Sequence, residues 1–184
     1  MDEQLPKQNV LTVTQADIDR LLRELKEEIP AFDLCFKTDS RLQRLIGKLV
    51  HPFNPAYMTR YTTVMGGKIW LPSRAFLRTK NLEWLYALLR HEAVHLRDMR
   101  RYPFLFQISY LLLLPGGVTC RAYWEWRAYK ASIAAEFEIK GTISDEFIDG
   151  IVTQFTGPAY LYMWPFRSHI RRLAEQERAR LTGY

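Results

Sequence analysis

The chain has 184 residues, of which 48% are hydrophobic and 25% are charged, a composition that excludes a disordered protein and predicts one globular domain over residues 1–184. Its two cysteines, Cys35 and Cys120, are too few for the disulfide framework of small secreted domains. The net charge is +6: residues 1–50 carry 8 Lys and Arg against 9 Asp and Glu, whereas residues 51–184 carry 18 against 11. That balance permits nucleic acid as a partner without requiring it, and it leaves the oligomeric state undetermined.

Two features of the hydropathy pattern bear on localisation. No basic segment followed by an apolar core stands near the N-terminus, so we expect a cytoplasmic protein without a signal peptide. The most apolar stretch, residues 104–114, is interrupted by Gln107 and Ser109. It is shorter than the roughly 20 apolar residues that cross a bilayer, so it predicts a buried helix rather than a transmembrane segment.

The first half of the chain mixes helices with short strands. Thr14 and Asp17 form the pattern of a capping box, which predicts a helix from Thr14 to Glu28. A strand is predicted over 32–36, followed by a helix over 40–50 that presents four apolar residues on one side: Leu42, Leu45, Ile46 and Leu49. A hairpin is predicted over 57–71, with its turn at Gly66 and Gly67.

The sequence of the second half of the chain predicts helices and no strands. A long helix begins at Asn81 and ends near Arg101, and the chain continues with helices over about 104–114, 119–140, 144–155 and 166–181. The fold class is therefore α+β, mostly α. Within the single domain we distinguish an N-terminal helix and strand segment (1–50), a core (57–140) and a C-terminal helical segment (141–184).

His91-Glu92-Ala93-Val94-His95 is an HExxH motif within the long helix. At about 100° per residue the two histidines lie about 40° apart on one face, so both imidazoles can bind one ion. Glu92 lies at the flank of this pair, where its carboxylate can accept a proton from a water bound to the metal. The motif therefore predicts a zinc site with Glu92 as the general base.

Two histidines need a further protein ligand. A metzincin-type continuation requires glycine at position 98 and histidine at position 101, but Asp98 and Arg101 stand there, so the remaining candidates are carboxylates. Asp98 shares the histidine face but lies about 10 Å further along the helix axis, which suits a second-shell acceptor for an imidazole N–H. Glu125 lies early in the next long helix among aromatic residues, where an unpaired carboxylate would be costly to bury. Glu136 lies further along that helix, at a position typical of a solvated end.

Together, HEAVH at 91–95, Glu125 and the strand before the first helix resemble the gluzincin branch of zinc metallopeptidases, in particular the minigluzincins. The resemblance covers about residues 57–140. It implies a small zincin-like fold in which a short sheet packs on the active-site helix, and His91, His95 and Glu125 bind Zn²⁺. It also implies an edge strand, here Lys68-Ile69-Trp70-Leu71, that binds extended peptide by strand addition. A Tyr or His often stabilises the oxyanion in such enzymes, and Tyr160 and His169 are the candidates.

We therefore predict a zinc metallopeptidase that cleaves a peptide or protein substrate. It would be latent if a terminal segment covered the edge strand. The alternative is a nucleic-acid-associated or inactive metal-binding module that uses the basic C-terminal half. The terminal helix holds five arginines together with Glu175 and Glu177, a pattern typical of a solvated helix with charge pairs.

Overall fold

The computed structural model describes residues 10–52, 54–111, 115–158 and 162–183. The helices in this part of the chain are α1 (Gln15–Glu28), α2 (Arg41–Val50), α3 (Arg74–Arg78), α4 (Leu82–Arg101), α5 (Pro103–Leu111), α6 (Pro115–Lys140), α7 (Asp145–Thr156) and α8 (Arg167–Thr182). The strands are β1 (Leu34–Phe36), β2 (Thr63–Met65) and β3 (Lys68–Leu71), with a 3₁₀ turn at Lys37–Asp39. The predicted class, α+β and mostly α, is confirmed. No helix among these residues is both long and apolar enough to cross a membrane.

Contacts within the chain group the elements into two compact units. The first unit is Thr14–Tyr102, with α1 to α4 and the sheet, and the second is Met1–Val13 with Pro103–Tyr184, which holds α5 to α8. Each is described here by itself.

Side-chain caps start the helices of the first unit where the sequence predicts them. Asp17 accepts a hydrogen bond from the Thr14 backbone N–H at 2.9 Å, and the Asp17 N–H donates to Thr14 Oγ1, so the predicted capping box is confirmed. Asn81 Oδ1 accepts from the Trp84 N–H at 2.9 Å and starts α4. The register of α4 is thereby fixed ten residues before His91.

The sheet of the first unit corrects one prediction. Its strand order is β1-β3-β2, with β1 parallel to β3 and β2 antiparallel to β3. The predicted hairpin is confirmed, and its turn holds Gly66 and Gly67 at φ 61° and 75°. The prediction that Lys68, Ile69, Trp70 and Leu71 form an edge strand is wrong. They form the central strand, because the distant segment Leu34–Phe36 pairs along the side that the hairpin leaves open.

Helix α2 packs with its polar side inward. Gln43 and Gly47 are its buried residues, and Tyr57 donates a hydrogen bond to Gln43 Oε1 at 2.6 Å. A Cβ at Gly47 would lie 2.6 Å from the side chain of Met58, so any other residue there would require Met58 to shift. Consequently three leucines of the predicted apolar side are exposed: Leu42 at 55%, Leu45 at 55% and Leu49 at 70%.

The second unit is built around the apolar residues of α6, α7 and α8. Phe155 is fully buried among the rings of Trp126 and Tyr129, with Ile148 and Ile170 in the same cluster. Among the described residues α6 covers Pro115–Lys140, which includes the helix predicted over about 119–140.

Helix α5 corrects a second prediction. Phe106 is buried against the ring of Trp124, and Ser109 Oγ accepts a hydrogen bond from the indole N–H of Trp124 at 2.9 Å. However, Phe104 and Ile108 are 79% and 56% exposed. The expectation of a helix buried on all sides is therefore wrong for the described part of this segment, which buries one face only.

Candidate metal site

The α4 helix holds the rings of His91 and His95 edge to face. Their ring centroids lie 5.0 Å apart with an interplanar angle of 75°, as expected for imidazoles one turn apart on the same face. His95 is buried and His91 is half-buried. The predicted placement of both side chains on one helix face is confirmed.

Glu92 lies between the two histidines in sequence and is 7% exposed, so its carboxylate stands in a largely desolvated environment. Lys37, which sequence reasoning did not single out, is fully buried in the same unit. Its Nζ donates hydrogen bonds to the carbonyl oxygens of Tyr57 and Tyr61, each at 2.8 Å, and lies 3.7 Å from the centre of the Tyr57 ring.

The ionisation of Lys37 is coupled to that of Glu92. Burial lowers the pKa of Lys37 to about 7, while the charge of Glu92 acts in the opposite direction and raises it. A neutral amine has two N–H donors, which match the two carbonyl acceptors. No local pattern around Phe36-Lys37 could have indicated this burial, since lysines in short connections are usually exposed.

Glu125 is 1% exposed on α6, between the buried Ala122 and Ala128. Arg121 Nε forms an ion pair with Glu125 Oε1 at 4.0 Å. The carboxylate of the rival candidate Glu136 pairs with Lys140 Nζ at 2.7 Å. Of the two glutamates, Glu125 is the more deeply buried.

His91, His95 and Glu125 each offer one ligand atom, and these three atoms lie within 4.8 Å of one another. This is the one group of three or more metal-binding side chains found in the part of the chain that the structure describes. Two donors about 2.0–2.2 Å from a tetrahedral zinc ion stand about 3.3–3.6 Å apart. The ligand atoms of the three side chains would therefore have to approach one another by up to about 1.5 Å to bind one ion.

Three further site residues are predicted: Asp98, Tyr160 and His169. Asp98 is 2% exposed on α4 but does not belong to the group of three, so its second-shell role stays a prediction. Tyr160 lies outside the described residues. His169 has its ring 5.4 Å from that of Trp164, and its Nδ1 is 3.3 Å from Arg172. An oxyanion role for Tyr160 or His169 stays a prediction.

The arginines of α8 are largely occupied by carboxylates. Arg178 pairs with Asp145 at 2.6 Å and with Glu175, and Arg180 pairs with Glu177 at 2.6 Å. Arg171 pairs with Asp149. The predicted solvated helix with charge pairs is confirmed, and these pairs neutralise much of the charge that a nucleic acid would contact.

Comparison with known proteins does not identify a family for this chain. No family model, no curated protein sequence and no solved structure matches this chain. The functional argument therefore depends on the residues and their geometry.

Proposed function

We propose that the protein is a zinc-dependent metallopeptidase in which His91, His95 and Glu125 hold the ion and Glu92 is the general base. The observation that carries the proposal is the proximity of the three ligand atoms, with Glu92 adjacent to the first histidine. Imidazole nitrogen and carboxylate oxygen are donors that zinc binds, so the chemistry of the three side chains also supports the proposal.

The donor set favours zinc. Magnesium and calcium are bound mainly by oxygen atoms, whereas two imidazole nitrogens and one carboxylate oxygen are a common catalytic zinc set. Three protein ligands leave the fourth tetrahedral position for water or substrate. A structural zinc site would instead fill that position with a fourth side chain.

In the proposed hydrolysis, the ion and the residues of the chain have different roles. A zinc ion held by these residues would act as a Lewis acid and would lower the pKa of a coordinated water toward about 7. A Glu92 carboxylate oxygen accepts the proton of the attacking water and later delivers it to the leaving amine. Because Glu92 is largely shielded from bulk water, the transferred proton stays on the carboxylate between the two steps.

The sheet topology changes where a peptide substrate would pair. Both sides of β3 are occupied, by β1 and by β2, so strand addition requires an outer edge. Strand β2 contacts α4, the helix of the two histidines, within the first unit. We therefore place the extended substrate along Thr63–Met65 instead of along Lys68–Leu71.

The test compares two matched substitutions on α4. Glu92→Gln keeps the size of the side chain and removes the base, so kcat for peptide hydrolysis should fall by roughly 10²–10⁴-fold. Zinc content should stay unchanged, because Glu92 is not a ligand. Glu83→Gln, at an exposed position of the same helix, should leave kcat unchanged. The assay is mass-spectrometric detection of cleavage in a mixed peptide library with added zinc.

Two results would contradict the peptidase. If the parent and Glu92→Gln cleaved peptides equally well, Glu92 would not be the general base. Zinc binding by a parent that cleaves no peptide in the library would favour the alternative, an inactive metal-binding module.

A further inference from the structure

The exposed side of α2 combines an apolar stripe with a basic one. Leu42, Leu45 and Leu49 fall within about 60° of one another around the helix axis, and all three are more than half exposed. Arg41, Arg44 and Lys48 occupy the adjoining sector of about 60° and are also exposed. The helix contains no acidic residue. We call these six residues the α2 surface.

The three cations of the α2 surface converge. Arg41, Arg44 and Lys48, together with Leu45, line a shallow depression of about 270 Å³. None of the three forms an ion pair with a carboxylate of the described residues, and Arg44 donates only to the backbone carbonyl of Thr38, at 2.9 Å. Their charge is thus available to an external anion.

The orientation of α2 is fixed by its opposite side, so the leucines cannot turn inward. The close approach of Gly47 to Met58 and the hydrogen bond between Tyr57 and Gln43 hold the polar side against the unit. Because each leucine is more than half exposed, each forgoes much of the hydrophobic stabilisation that burial would give. An apolar environment outside the chain would recover it.

We propose that the α2 surface docks on an anionic lipid bilayer, with the leucines in the interface and the three cations on lipid headgroups. A helix with apolar residues beside a basic sector is the common form of an interfacial helix. A second copy of this chain is a poorer occupant. A symmetric contact would bring the cations of both copies together, and a single ten-residue helix supplies less area than a stable dimer needs.

The experiment is co-sedimentation of the full chain with vesicles of phosphatidylcholine, alone or mixed with phosphatidylserine. The parent should bind the mixed vesicles, bind phosphatidylcholine alone much more weakly, and dissociate as salt is added. Arg41→Gln with Lys48→Gln should weaken binding by roughly fivefold for each cation removed. Arg23→Gln with Arg78→Gln removes the same charge from exposed positions elsewhere in the first unit and should have a smaller effect.

A variant that combines Leu42→Gln, Leu45→Gln and Leu49→Gln tests whether the leucines insert into the bilayer interface. Because these side chains are exposed, the circular dichroism spectrum should not change, whereas vesicle binding should fall at least roughly tenfold. Phe104→Gln with Leu105→Gln, at exposed apolar positions of α5, is the matched control. The proposal is overturned if the parent does not bind the mixed vesicles or if only the α5 variant loses binding. A dimer that the leucine variant converts to a monomer would also overturn it.

Discussion

The interiors of the two units differ in kind. In the first unit the buried polar and charged side chains include Lys37, Gln43, Glu92, His95 and Asp98. In the described part of the second unit, the buried polar or charged side chains are Ser109 and Glu125, and the rest of that interior is largely aliphatic and aromatic.

The two interiors suit different roles, one for function and one for stability. Three buried ionisable residues, Glu92, His95 and Asp98, lie on the single helix α4, and such a concentration is more typical of a functional site than of a packing core. The hydrophobic cluster around Phe155 supplies ordinary packing energy. Glu125 is the exception in the second unit, since it is a buried carboxylate among aliphatic and aromatic residues.

The largest expected effect on stability comes from the second unit. Phe155→Ala removes a fully buried ring that contacts Trp126 and Tyr129, so the free energy of unfolding should fall by about 3–5 kcal/mol. The measurement is urea denaturation followed by circular dichroism. Phe166→Ala, at a position that is 62% exposed, is the control and should change stability by less than about 0.5 kcal/mol. Similar losses in both variants would contradict an interior centred on Phe155.

The first unit should show a pH dependence that originates in Lys37. Its pKa is about 7 in the folded chain and 10.5 ordinarily, so between these values the unfolded chain binds the extra proton. The free energy of unfolding should therefore rise with pH across this window, by about 1.4 kcal/mol per pH unit from this group, and the gain should be lost as pH falls to about 7.

Lys37→Met tests that assignment. The variant should lack this contribution to the slope in urea denaturation measured from pH 7 to 9, whereas Lys130→Met, at an exposed position of the second unit, should retain it. Parallel pH profiles of the parent and Lys37→Met would show that the lysine does not titrate in this range.

The sequence predicts features that depend on local spacing. Each of three predictions concerns residues within one helix or at its start: the capping box at Thr14, the Asn81 cap, and the common helix face of His91 and His95. The structure confirms all three. The Gly66-Gly67 turn is local in the same sense. These features need no knowledge of what packs against them.

Features that depend on distant segments were mispredicted or missed. The pairing of β1 with β3 joins segments more than 30 residues apart, which is why the edge position of Lys68–Leu71 was wrong. The burial of Lys37 requires the carbonyl oxygens of Tyr57 and Tyr61, which no pattern near Lys37 indicates. Periodicity placed the α2 leucines on one side, but the contacts of Gly47 and Gln43 decided which side is buried.

The central claim is that His91, His95 and Glu125 bind one zinc ion, and metal content tests it most directly. After zinc loading and dialysis, elemental analysis should find roughly one zinc ion per chain in the parent and in Glu136→Ala, which alters an ion-paired glutamate of α6. His91→Ala, His95→Ala and Glu125→Ala should each lose most of the zinc. A parent that retains no zinc, or a Glu125→Ala variant that binds it as tightly as the parent, would contradict the account.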